Sequence, residues 1–133
     1  MKKLIAASVS LVAVAAVAVP LALGAGAAKV NVTLKEFTVK PTPKTVAAGK
    51  VTFAVKNAGA LEHELIVIKT NVPAGKLPVK NGRASEKGSV GEIELKPKKS
   101  GALTLNLKAG KYVLICNVSG HYKAGQYTSF TVK

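Results

Sequence analysis

Three six-residue stretches constrain the fold more than anything else in this chain. Val30-Asn31-Val32-Thr33-Leu34-Lys35 alternates apolar and polar residues, and Leu103-Thr104-Leu105-Asn106-Leu107-Lys108 repeats the pattern. Val51-Thr52-Phe53-Ala54-Val55-Lys56 follows it with one lapse, at Ala54. Successive side chains of a strand point to opposite faces, so a period of two predicts a strand with one buried and one wet face. Leu65-Ile66-Val67-Ile68 and Tyr112-Val113-Leu114-Ile115 are continuous apolar runs. They suit central strands buried on both faces. Thr128-Ser129-Phe130-Thr131-Val132 reads as a last, β-branched strand. Turn residues separate these runs at Pro41-Thr42-Pro43, Ala48-Gly49-Lys50, Asn57-Ala58-Gly59, Asn81-Gly82 and Ala109-Gly110-Lys111. Short strands at such spacing predict an all-β sandwich or barrel. No helical period of useful length follows residue 28. Residues 70–100 are the least regular part and read as a long polar excursion, with a hairpin at Asn81-Gly82.

The first 28 residues differ in kind. Met1-Lys2-Lys3 is a basic start, Leu4 to Leu23 carries no charge, and small residues run from Gly24 to Ala28. That order predicts a signal-peptide helix over residues 1–28, with Ala25 and Ala27 fitting an A-x-A cleavage site. An uncleaved membrane anchor is the other reading. Residues 29–133 are then one exported domain, in the periplasm or on the outer face of the cytoplasmic membrane.

The charge balance excludes several classes of function. Lys and Arg total 20 against 6 acids, all six of them Glu. Without Asp there is no Ser-His-Asp triad and no Asp-based calcium loop. Residues 29–133 keep 18 basic residues and 6 acids, a net +12. Arg83 is the sole Arg, whereas specific phosphate and base recognition favours the Arg fork. Nucleic acid is therefore not the expected partner. The dispersed Lys residues suit a solvated surface, or steering towards an acidic protein.

The chemistry-bearing residues are few. Cys116 ends the run Tyr112 to Ile115, and His121 follows five residues later in Cys116-Asn117-Val118-Ser119-Gly120-His121. His63 stands far upstream, immediately before Leu65 to Ile68. A single cysteine makes no internal disulfide, and an unpaired thiol in an exported protein calls for an explanation. Two imidazoles and one thiolate form a soft trigonal donor set, which suits copper when a weak fourth ligand completes it. Zinc accepts the same groups but usually takes four firm tetrahedral ligands.

These residues carry a resemblance to the cupredoxins, the small blue copper proteins. Val32 to Phe37, Pro41 to Gly49, Val51 to Phe53 and Asn57 to Ile68 resemble the first half of a bacterial member. Lys111 to Cys116 and the loop to Gln126 resemble its second half. The resemblance implies a Greek-key β-sandwich, one copper per chain cycling between Cu(I) and Cu(II), and His63, Cys116 and His121 as equatorial ligands. Sulfocyanin-like relatives carry Met where this chain has Gln126. The spacing C-x4-H-x4-Q is instead similar to plant stellacyanin, whose axial ligand is Gln. Met1 is the only Met and belongs to the leader, so no thioether is available to residues 29–133. Gln126 through its side-chain oxygen is the candidate fourth ligand, with the carbonyl of Leu61 or Glu62 as an additional one.

The expected function is one-electron transport between redox partner proteins by a monomer without enzymatic activity. Copper storage or delivery is the alternative, although the Met- or His-rich tracts that it favours are absent. By the resemblance, His121 reaches the surface as the electron port, and Ala58, Ala60, Leu61, Val118 and Ala124 form an apolar docking patch.

Overall fold

A computed structural model describes residues 26–133. The leader helix expected over 1–28 lies outside them but for its last three residues.

Among the described residues eleven strands follow one another: β1 (Ala28–Lys35), β2 (Thr38–Thr42), β3 (Thr45–Val46), β4 (Gly49–Asn57), β5 (His63–Lys69), β6 (Val79–Lys80), β7 (Arg83–Ala84), β8 (Ser89–Leu95), β9 (Ser100–Leu107), β10 (Gly110–Ile115) and β11 (Tyr127–Val132). One 3-10 turn, Ala74–Lys76, precedes β6. The first sheet has the order β2-β1-β4-β9 and the second β3-β11-β10-β5-β8, while β6 and β7 form a separate hairpin. β1 runs parallel to β4 and β11 parallel to β3; the other pairs are antiparallel.

The alternating stretches behave as their period requires. Val30, Val32 and Leu34 of β1 and Val51, Phe53 and Val55 of β4 are buried, and they meet Leu65, Val67, Tyr112, Leu114 and Phe130 of the second sheet. Phe53 and Phe130 touch across the sandwich with ring centroids 5.6 Å apart. The Tyr112 hydroxyl donates to the Lys108 carbonyl at 2.7 Å and closes the corner before β10.

The continuous apolar runs are buried on both faces for a local reason. Their other side chains, Ile66 and Ile68 of β5 and Val113 and Ile115 of β10, form a second small core with Leu77, Ala84 and Tyr122. Leu77 and Ala84 belong to the irregular excursion, which therefore covers the outer face of the second sheet.

Two sequence expectations need correction. Residues 70–100 are not irregular throughout: β8 pairs with β5 at the edge of the second sheet. Its exposed Glu92 and Glu94 mask the strand signal, because charged residues are depleted in strands yet protect an edge from further pairing. Pro41 is not a turn residue but a buried member of β2. An edge strand tolerates a proline because it leaves one side without partners. The Asn81-Gly82 hairpin forms as expected, with φ of +52° and +78°, the left-handed pair of a type I′ turn.

Candidate metal centre

Three chain segments converge at one end of the sandwich. His63 is the first residue of β5, Cys116 follows the last residue of β10, and His121 sits in the loop from β10 to β11. β5 and β10 are neighbours, with Ile115 opposite Ile66, so the sheet register alone carries His63 and Cys116 to the same rim.

The loop that brings His121 back is held from several sides. The Cys116 amide donates to the Gln126 carbonyl at 3.0 Å and the Gln126 amide to the His121 carbonyl at 3.1 Å. The Gly120 amide donates to the Gly82 carbonyl at 2.9 Å. Asn117 is buried; its side chain accepts from the Ala84 amide at 2.8 Å and donates to the Ala84 carbonyl and to Glu86. The Tyr122 hydroxyl donates to the Ala74 carbonyl at 2.6 Å and accepts from the Leu77 amide at 3.0 Å. The excursion over residues 74–86 thus clamps the loop that carries His121. This explains its presence better than its own sparse secondary structure does.

The three donor atoms form a small triangle. Cys116 Sγ lies 3.4 Å from His121 Nδ1 and 3.7 Å from His63 Nδ1, and the two Nδ1 atoms are 3.3 Å apart. The in-plane point equidistant from all three is about 2.0 Å from each, close to the length of about 2.0–2.1 Å for a zinc–imidazole bond, and an ion slightly out of that plane also meets the length of about 2.3 Å for a zinc–thiolate bond. The cup is therefore the right size for a first-row metal ion. His63 and Cys116 are fully buried, and His121 keeps 8% of its surface.

Gln126 is fully buried beside the triangle. Its Nε2 donates to the carbonyls of Lys35 at 3.2 Å and Thr38 at 3.4 Å and stands 3.1 Å from His63 Nδ1. Its Oε1 has no hydrogen-bond partner. The nitrogen, not the expected oxygen, thus lies against His63, because two main-chain carbonyls demand a donor there. An orphaned buried oxygen costs about 1–3 kcal/mol, and only a turn of the amide would bring it to a cation in the cup in place of the nitrogen. Of the two carbonyls expected as additional donors, Leu61 and Glu62, that of Leu61 already accepts from Asn57 Nδ2 at 2.8 Å.

Comparison with known proteins bears on the fold. No protein-family model matches the chain, and no curated protein does. Solved structures do match. Auracyanin A, a blue copper protein from the green thermophilic photosynthetic bacterium Chloroflexus aurantiacus, superposes with a TM-score of 0.61 at 25% identity, covering 81% of this chain and 100% of its own. A dithionite-reduced auracyanin from the photosynthetic bacterium Roseiflexus castenholzii gives 0.60 at 22% identity, covering 81% and 99%. A methionine-to-glutamine mutant of rusticyanin gives 0.55 at 23% identity, covering 79% and 78%. The chain has the cupredoxin fold.

Two residues at this end of the cupredoxin sandwich escape a reading of the sequence. Phe37 is 38% exposed and packs edge-on to the His121 ring, with centroids 5.0 Å apart. Glu36, just before it, accepts hydrogen bonds at one oxygen from the amides of Ala60 at 2.9 Å and Leu61 at 2.8 Å, and from His63 Nε2 at 3.0 Å. Both follow Lys35, where the alternating stretch ends and the sequence carries no Gly or Pro turn signal. Nothing local says that this turn reaches a histidine 27 residues later.

The electrostatics of the site follow from burial. Burial pushes the Cys116 thiol above its ordinary range, with the Glu64 and Val118 amides pulling it back and the Glu64 charge adding to the rise. The thiol is therefore protonated in the metal-free protein at neutral pH, and a metal that binds it expels that proton. Burial, then the neighbouring His63, lowers the His121 pKa. The Glu36 carboxyl is held down at about 2, chiefly by the Leu61 amide and then by its own amide. On the flank, Glu64, Glu86, Glu92 and Glu94 surround Arg83 in a cleft of about 380 Å³, an acidic island on a basic protein.

Proposed function

We propose that this chain is an exported type 1 copper protein that carries one electron at a time between redox partner proteins. His63 Nδ1, Cys116 Sγ and His121 Nδ1 are the equatorial ligands, and Gln126 is the fourth, its amide turning on metal binding so that Oε1 replaces Nε2 beside His63. One copper ion per chain supplies the redox couple. The observation that carries this reading is the triangle of three buried donor atoms with edges of 3.3, 3.4 and 3.7 Å.

The chain's own residues account for the rest. The paired strands β5 and β10 and the clamped loop hold the donors in place before any metal arrives. A rigid cup changes little between two oxidation states, which keeps the reorganisation that accompanies electron transfer small. His121, at 8%, is the one of the three donors that keeps any measurable exposure, so its ring is the path by which an electron leaves. Phe37 and Leu61, 38% and 46% exposed, together with exposed Ala60 and Ala124, offer an apolar face for a partner. The 18 basic residues of positions 29–133 favour encounter with an acidic one, more strongly at low salt. The apolar leader supports export.

Titration of the metal-free protein with Cu(II) tests the proposal. One equivalent is expected to produce an intense visible thiolate-to-copper charge-transfer band, absent in Cys116→Ser. Native protein that gives no such band would refute it.

A further inference from the structure

We infer that Glu36 is a positioning residue for His63: its carboxylate fixes the imidazole as the Nε2–H tautomer, so that the Nδ1 lone pair faces the cup, and its charge biases the site towards Cu(II). The inference rests on the copper reading and goes beyond the donor set.

The geometry is specific. His63 presents Nδ1 to Cys116 and His121 and Nε2 to Glu36 Oε1 at 3.0 Å. A neutral imidazole has one proton, and a carboxylate can only accept, so the proton belongs on Nε2. That leaves the Nδ1 lone pair facing the cup where a metal ion needs it, with the Gln126 amide nitrogen standing 3.1 Å away in the metal-free protein. A carboxylate on the far nitrogen of a histidine ligand orients the ring and makes it a stronger donor. A stronger, more negative donor set favours the higher charge of Cu(II).

The carboxylate is itself anchored. It lies in the turn between β1 and β2, at the edge of the first sheet, whereas His63 opens β5 of the second. The amides of Ala60 and Leu61 hold the same oxygen that His63 meets. Gly59 makes room: a Cβ there would collide with the Glu36 carboxylate. Gly59 has no positive φ, so its lack of a side chain is explained by the carboxylate and not by the backbone. The anchor therefore spans both sheets and depends on a glycine that no backbone rule requires.

The test uses three variants: Glu36→Gln, which keeps an acceptor without the charge, Glu36→Ala, which removes both, and Gly59→Ala, which displaces the carboxylate. The tautomer is read by nitrogen-15 NMR of the His63 ring in metal-free protein. Cu(II) affinity is read by competition with a chelator, and the reduction potential by voltammetry. Native protein is expected to hold the Nε2–H form alone. Glu36→Ala and Gly59→Ala are expected to mix the tautomers and to weaken Cu(II) binding about tenfold or more. Glu36→Gln is expected to keep the tautomer and raise the potential. An unmixed tautomer in a folded Glu36→Ala protein, or an unchanged potential in Glu36→Gln, would overturn the inference. If native protein takes up no Cu(II), the copper reading fails, while the metal-free tautomer still decides the role of Glu36.

Discussion

The amide nitrogen of Gln126 stands 3.1 Å from Nδ1 of His63, while the oxygen on the same side chain has no partner. An oxygen donor is harder than a thioether and favours Cu(II) over Cu(I). Gln126→Met is therefore expected to raise the reduction potential. A tenfold change in relative preference corresponds to about 59 mV for a one-electron couple, and a rise of that order is expected. Voltammetry of the two proteins checks it; an equal or lower potential for the variant refutes it.

Asn57 ends β4 and pins the segment that leads into His63. Fully buried, it donates to the carbonyls of Leu61 at 2.8 Å and Leu95 at 2.9 Å and accepts from the Gly59 amide at 2.9 Å. Asn57→Ala strands these groups, at a cost of about 1–3 kcal/mol for each one left buried without a partner. Urea unfolding of the metal-free protein is expected to show a loss within or above that range. Copper binding should weaken as well, because residues 58–62 lose their anchor. A midpoint within error of the native one would count against this account.

Phe53 tests the sandwich itself. It is fully buried and meets Phe130 of the opposite sheet. Phe53→Ala is expected to cost about 3–5 kcal/mol. The urea midpoint should fall while the slope stays as in the native protein. A loss well under 1 kcal/mol would mean that the two rings do not join the sheets.

Acid should destabilise the metal-free protein partly through Glu36. Its carboxyl titrates near 4.5 when unfolded and near 2 when folded. Between those values the unfolded chain binds the extra proton, so this contribution is present above about pH 4.5 and fades as the pH falls towards 2. Thermal unfolding across this window is expected to show a shallower decline in Glu36→Gln than in the native protein. Parallel curves would refute the assignment.

Much of the architecture was legible because period two is a local property. Val30, Val32 and Leu34, and Val51, Phe53 and Val55, show their buried face in their spacing alone. Leu65 to Ile68 and Tyr112 to Ile115 announced strands covered on both sides, although not what covers them. β8 was obscured because Glu92 and Glu94 on a sheet edge resemble a loop. Pro41 misled because its edge position is a fact about neighbours.

The candidate donors were legible for a different reason. His63, Cys116 and His121 are the whole supply of imidazole and thiol in the chain. With only two His and one Cys, composition left one imidazole–thiol set to consider. That it would hold copper with Gln126 as fourth ligand is what the resemblance to the cupredoxins implied, and the absence of any Met after residue 1 removed only a thioether from that position. The sequence by itself determined six of the sandwich strands, β1, β4, β5, β9, β10 and β11, together with the donor inventory and the charge. Tertiary structure alone decided that β5 and β10 are neighbours, that the 74–86 excursion clamps the His121 loop, that the Gln126 nitrogen turns towards two carbonyls, and that Glu36 reaches His63. Each of these is a contact between segments far apart in the chain, and residue order encodes such contacts only through the packing of the whole fold.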